Sequence, residues 1–244
     1  MNNGILSNNS RFGRMMTRAG ILIASNLLFV LSCIPVVTAG AGLCALYHTL
    51  FRTLRGDGEI NPFSEFYRGF KNNFKQATVS FVFLTAFIFV LLLEIFWCKQ
   101  FVGAVALFRY GLYVILMIVL VLALYLYPTM AAFDAPLKML FAHSFYFAMK
   151  RPMTMMSIVL TSVVPSVITI VHRNFLPLYA FIWCFIGVSG IAMLHASMLL
   201  HLFEPYLPLV DVCGEIIPEN EESFDQINQQ TESKVLEDMM KLGM

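Results

Sequence analysis

The sequence predicts an all-α, polytopic membrane fold with six membrane segments, and three observations carry that expectation. Apolar residues make up 59% of the 244-residue chain and charged residues only 13%, whereas soluble domains run at about 45–50% apolar. Five apolar stretches, at 19–51, 77–98, 101–133, 153–171 and 176–203, reach the roughly 17–25 residues that a helix needs to cross a bilayer. Apart from Arg109, the cations of the body lie before or between these stretches, and a net acidic segment begins only after Pro208. The mean hydropathy of +0.75 leaves little chain for a separate soluble domain.

The first apolar run must be read as two segments. Arg11, Arg14 and Arg18 precede it, and Arg52, Arg55, Arg68, Lys71 and Lys75 follow it. Cytoplasmic loops gather Lys and Arg, so both groups belong on the inner side and the run has to fold back. Pro35 and the small residues 39–42 mark the bend. The arms, 19–34 and 41–51, are short for a ~30 Å hydrocarbon core at ~1.5 Å per residue. Two short tilted helices and a re-entrant hairpin satisfy the sequence equally well. A cleaved signal peptide has its ingredients here, but Pro35 interrupts the approach to the cut and a retained hairpin is expected.

The next loop is patterned. After Asn61-Pro62, aromatic residues fall at Phe63, Phe66, Tyr67, Phe70 and Phe74, which is helical spacing. With Arg68, Lys71 and Lys75 interleaved, the segment predicts an amphipathic helix at the cytoplasmic interface. The third segment, 77–98, then runs outward to Lys99, and the fourth, 101–133, returns to a second inner loop. There Leu140, Phe141, Phe145, Phe147 and Met149 precede Lys150-Arg151 and predict a second amphipathic helix. The last two segments, 153–171 and 176–203, are joined by a short outer link carrying Arg173. The sequence of span, basic amphipathic helix and span thus occurs twice, which suggests a parallel internal repeat of 42–98 against 104–172. Both termini are expected in the cytoplasm.

Residues 1–208 therefore form the helical membrane domain, with fourteen cations against six acids, and 209–244 a cytoplasmic tail with nine acids against two lysines. The tail is expected to be largely disordered over 219–232, with a short apolar pattern at Val235, Leu236, Met239, Met240 and Leu242 near its end. Nucleic acid is not expected as a partner, because the positive-inside bias already accounts for the body's cations. Membrane lipid is.

The stretch from Asn26 to Thr78 resembles the diagnostic region of the YesL-like family of bacterial membrane proteins, whose function is unknown. The resemblance rests on Asn26 early in the first span, the turn Pro35, Thr38 and Gly40, the triplet Ala45-Leu46-Tyr47, the cations Arg52 and Arg55, and the segment Phe70, Asn73, Phe74, Gln76 and Ala77. It implies a multi-pass protein of the bacterial cell membrane found beside carbohydrate ABC importers. An accessory or regulatory role follows, exercised by protein–protein contact at the cytoplasmic face. Phe66, Arg68, Phe70, Asn73, Phe74 and Lys75 are the expected contact residues, importer subunits the expected partners, and a homo-oligomer a further possibility.

No residue pattern here demands catalysis. H-E-x-x-H, P-loop and G-x-S-x-G motifs are missing from the sequence, so no catalytic, cofactor-binding or metal residue is assigned and an enzyme is not expected. The five cysteines read as small buried hydrophobes. Pro35, Thr38, Gly40 and Gly42 form a broken-helix turn, read as the tip of a hairpin in preference to a ligand site. Glu94 and Arg109 are the charges deepest in apolar sequence and are expected to pair, since a charge in hydrocarbon finds a partner or a water-filled cavity. They also underlie the alternative function, an autonomous small-solute transporter using the broken hairpin and this pair. Asn26 is expected to hydrogen-bond between helices, and Gly187 and Gly190, with Ser189, Ala192 and Ala196 beside them, to let a helix approach closely.

Overall fold

The computed structural model describes residues 11–56, 60–98 and 104–203 and the single positions 206, 233, 237 and 240. Its regular elements are helices: α1 (Arg11–Ser32), α2 (Ala39–Arg55), α3 (Pro62–Cys98), α4 (Ala104–Ala132), α5 (Leu137–Lys150), α6 (Pro152–Val171), α7 (Leu176–Ile182) and α8 (Val188–Phe203). Single 3-10 turns precede α2 and α7, and a π-helical turn, Trp183–Gly187, joins α7 to α8. There is no strand among the described residues. The acidic tail, apart from those single positions, and Asp57, Gly58 and Lys99 lie outside them.

Five helical stretches are long and apolar enough to cross a membrane: 15–32, 62–98, 107–132, 152–171 and 176–203. This is a membrane protein. The predicted second segment, α2, is not among the five. It has 17 residues, a length of ~26 Å, and is the most enclosed helix of the bundle. It packs against α1, α3, α4 and α8, with Ala41, Cys44, Ala45, Leu46 and Leu50 fully buried.

The local chemistry explains the hairpin that puts α2 there. A residue before proline is pushed out of the helical region, so α1 stops ahead of Ile34-Pro35, and Pro35 itself is extended at φ −82°, ψ 103°. The chain then turns back through Val36–Thr38. The glycines of α2 let it approach its neighbours: a Cβ on Gly40 would lie 2.6 Å from both the Ala77 carbonyl oxygen and Phe81 Cβ, and one on Gly42 would collide with the Ser32 hydroxyl. Gly69 of α3 plays the reciprocal part, since a Cβ there would sit 2.8 Å from His48 Cβ. Arg18 and Arg52 consequently lie toward the same end of the hairpin, as the charge pattern requires. Its turn rests against the middle of α3, which continues from Phe81 to Cys98, ~26 Å further.

The expected separate amphipathic helix is instead the first half of α3. Asn61 caps it, its Oδ1 accepting from Phe63 N–H at 3.1 Å, Pro62 occupies the first helical position, and Gln76-Ala77-Thr78 contains nothing that would end a helix. Since ~20 residues suffice to cross, this 37-residue helix carries its basic aromatic portion on as a rigid extension of the span. The second amphipathic segment, α5, does stand alone, because Pro136 bounds it in front and Arg151-Pro152 behind. The two halves of the suggested repeat therefore differ in architecture.

The core lies where α2 meets the ends of α4 and α8 and the face of α5. Phe51, Phe133, Tyr146, Phe147, Phe203 and Tyr206 are buried together, with ring centroids 4.8 Å apart for Phe147 and Phe203 and 5.3 Å for Phe133 and Phe203. Such pairs add about 0.5–1.5 kcal/mol each beyond burial. The far halves of α3 and α4 share only a small seam of Leu91, Ile95, Cys98 and Leu112, and their remaining surface is exposed apolar residues suited to lipid.

Gly40→Ala is expected to lower the thermal midpoint in mild detergent by the equivalent of about 1–3 kcal/mol, because the obstacle at Ala77 is backbone and cannot rotate away. Gly20→Ala, with nothing within 4 Å of the new methyl, is the control and should not be destabilised. Equal midpoints for the two would refute the close-approach account.

Candidate functional site

Two features collect the polar chemistry of this bundle, a hydrogen-bonded seam between helices and an exposed basic aromatic face on α3. The seam begins at Asn26 of α1, which is fully buried. Its amide Nδ2 donates to the Trp183 and Cys184 carbonyls at 3.0 and 2.6 Å, and its Oδ1 accepts from Ser189 N–H at 2.8 Å. Two of these groups belong to the π-helical turn and the third lies just after it. A π-turn interrupts the ordinary i to i−4 ladder, and Asn26 enters the gap as a substitute for the missing helical bonds. Gly187 completes the arrangement, since a Cβ there would be 2.8 Å from the Trp183 ring.

One and a half turns further along α8, His195 is 2% exposed and links three helices. Its Nδ1 lies 3.2 Å from the Tyr47 hydroxyl of α2, and its Nε2 lies 2.9 Å from Thr161 Oγ1 and 3.4 Å from Ser162 Oγ of α6. Trp183 Nε1 donates to Thr169 Oγ1 at 3.1 Å. The hydroxyls of α6 also donate back to its own carbonyls, as Ser162 does to Ile158 at 2.9 Å and Thr169 to Pro165 at 2.8 Å. They thus cost the apolar surroundings little while offering lone pairs to the neighbouring helix. Asn26 was legible as an interhelical donor. His195 was not, because histidine spacing along one helix is informative for metal sites and silent about a tyrosine 148 residues away in sequence.

The predicted turn residues are spent on the hairpin itself. Thr38 Oγ1 lies within hydrogen-bond reach of the Ser32 and Pro35 carbonyls at 2.6 and 2.8 Å, and Thr38 N–H donates to Pro35 O at 2.9 Å. Glu94 and Arg109 do not form the expected pair. Leu91, Ile95, Cys98 and Leu112 fill the α3–α4 seam, which leaves Glu94 exposed and Arg109 half-buried, its guanidinium carbon 5.6 Å from the Tyr110 ring centroid. An ion pair forms elsewhere: Arg52 Nε lies 3.4 Å from Glu65 Oε2, with His48 Nδ1 at 3.9 Å from the same oxygen, and ties the end of α2 to the start of α3. Of the small residues in the last span, Ser189, Ala192 and Ala196 are buried inside the bundle, and Gly190 faces open space.

The expected contact residues divide. Phe66 is 5% exposed and belongs to the core, in ring contact with Phe70, which is half-buried. Asn73 is half-buried too, and its Nδ2 reaches back to the Gly69 carbonyl at 3.4 Å. Phe74, Arg68 and Lys75 are exposed, and so are Phe63, Tyr67 and Lys71. The accessible face is therefore Phe63, Tyr67 and Phe74 beside Arg68, Lys71 and Lys75.

On α5, outside the five candidate spans, His143 is 2% exposed, with its ring edge-on to Phe133 and Phe147. Neither ring nitrogen has a hydrogen-bond partner, and burial holds its pKa below the ordinary histidine value. No group of three or more His, Cys, Asp or Glu that could hold a metal occurs among the described residues.

A family profile described as a protein of unknown function, DUF624, matches residues 22–95, less than a third of the chain. The matched part runs from α1 through α2 and nearly all of α3. It includes Asn26, Tyr47 and the basic aromatic face. No curated protein matches this chain, and no solved structure does.

Asn26→Leu removes two donors and an acceptor from the π-turn, and is expected to destabilise the detergent-solubilised protein by about 2 kcal/mol, with each buried group left unpaired costing about 1–3 kcal/mol. Asn26→Gln, which keeps the amide but displaces it, should recover only part of the loss in thermal midpoint. For His143 the sign follows from its depressed pKa. The unfolded chain takes up a proton as pH falls below ~6.5, the ordinary value, and the folded chain resists it, so stability is full above that pH and declines below it. His143→Leu should leave the midpoint at pH 7.5 little changed and lessen its fall between pH 6.5 and 5. An identical acid slope in both proteins would refute the assignment.

Proposed function

We propose that this chain is an accessory or regulatory integral membrane protein of the bacterial cell membrane, of the YesL-like kind. It associates with a carbohydrate ABC importer and acts by protein–protein contact at the cytoplasmic face, where both of its termini lie. The carrying observation is the exposed face on the first half of α3: Phe63, Tyr67 and Phe74 are 61%, 66% and 41% exposed, on a helix held rigid by its other side. Phe66, Gly69 and Ala77 face the core, and the Arg52–Glu65 pair fixes the helix start. Exposed aromatic residues interleaved with cations are the composition of contact hot spots.

The placement beside importers rests on the YesL-like resemblance alone; the DUF624 match over 22–95 is to a family of unknown function. The alternative, an autonomous small-solute transporter, draws less support. The groups of the broken hairpin are used in its own turn, and Glu94 and Arg109 stand apart.

A mild-detergent pull-down of tagged protein at native expression level tests this reading. Importer permease or ATPase subunits should be retained in stoichiometric amount, and the combined change of Phe63, Tyr67 and Phe74 to alanine should release them with no fall in thermal midpoint. Recovery of this chain alone, or retention by the triple variant, overturns the reading. The change avoids Phe66, whose loss would unsettle the core.

A further inference from the structure

The same α3 face has two adjoining strips, set by helical spacing: the aromatic Phe63, Tyr67 and Phe74, and the cationic Arg68, Lys71 and Lys75. All six are exposed. We propose that the acidic C-terminal segment of this chain, residues 209–244, docks on this face and masks it. Charge complementarity is the first argument. The segment holds nine acids against two lysines, and the rest of the chain fourteen cations against six acids. Most of the long-range electrostatic imbalance therefore lies between two parts of one molecule.

The second argument is where the segment leaves the fold. Phe203 packs on Phe51 with ring centroids 6.0 Å apart, and the next residue, Arg52, is the one that meets Glu65 in the first turn of α3. Tyr206 is buried beside Tyr146 and Phe147 and accepts from Lys150 Nζ. The segment is thus released at the end of the bundle where α3 begins. At ~3.3 Å per extended residue, even ten residues can reach the face.

The third is chemical type. Val235, Leu236, Met239, Met240 and Leu242 supply apolar side chains among the carboxylates. Ser233, Glu237 and Met240 are helical, at the i, i+4, i+7 spacing of one helix face, and Met240 is 72% exposed. Carboxylates interspersed with flexible methionines suit aromatic residues flanked by cations.

The masking rests on reading this face as a contact surface, but the docking can be measured with no partner present. Full-length protein in nanodiscs of zwitterionic lipid is treated with an amine-reactive acyl reagent, and the modification rates of Lys71 and Lys75 are read by mass spectrometry. They are compared with a full-length variant whose nine tail acids are changed to Asn or Gln, and with the wild type at 1 M salt, where the Debye length shrinks to ~3 Å. Severalfold faster modification of both lysines in the variant and in high salt is the expected result. Equal rates in all three overturn the proposal. Repetition in anionic nanodiscs separates lipid from tail: protection that appears only there, and equally in wild type and variant, assigns the face to lipid headgroups and overturns it as well. Failure of the importer pull-down would leave these rates untouched, so the two readings fall independently.

Discussion

The bundle depends on how closely α2 approaches its neighbours. Lipid offers apolar side chains nearly as good an environment as another helix does, so association within a membrane protein rests on close packing and hydrogen bonds. α2 supplies the packing with Gly40, Ala41, Gly42, Cys44 and Ala45 in its first two turns, all of them buried. It also supplies hydrogen bonds and charge further on, through Tyr47 to His195 and Arg52 to Glu65. Remove the close approach at Gly40 and the backbone of α3 near Ala77 must move, which would carry the rigid basic half of α3 with it. The exposed face therefore depends on the close approach at a glycine of a different helix.

This explains what could and could not be read from the sequence. The apolar runs and the fold-back of the first one were legible, because hydropathy and the placement of Arg18 and Arg52 are local or nearly local signals. Pro35 marked the bend of the hairpin for the same reason. That α2 is the centre of the bundle was hidden, since its mixture of glycine, alanine, tyrosine and arginine resembles a peripheral hairpin arm when only its own residues are considered. The fusion of the basic segment with the third span was hidden by emphasis: the change from polar to apolar at Ala77 looked like a boundary, though nothing in the backbone chemistry there ends a helix.

The site residues divide along the same line. Helical periodicity placed the aromatics of α3 on a helix but could not say which side meets the core, and so it grouped the buried Phe66 with the exposed Phe74. Glu94 and Arg109 were paired on the assumption that buried charges must find each other. In the structure Glu94 is exposed near the end of α3 and Arg109 lies beside Tyr110. The polar groups that are enclosed are neutral or hydroxylic, Asn26, Tyr47, Thr161 and His195, which need partners but no counter-charge.

Those partners also bear on how the chain is divided. The segment matching DUF624 ends at residue 95, yet the amide of Asn26 is satisfied by Trp183, Cys184 and Ser189, and the hydroxyl of Tyr47 meets His195. Without α7 and α8, each of these groups would be left facing hydrocarbon, where an unpaired polar group costs several kcal/mol. The same is true from the other side, because the π-turn has no internal replacement for the bonds that Asn26 makes. Residues 22–95 therefore do not close on themselves. They hold the centre of the fold and its exposed face, and the last membrane helix completes them by meeting the two polar side chains that an isolated hairpin could not afford to bury.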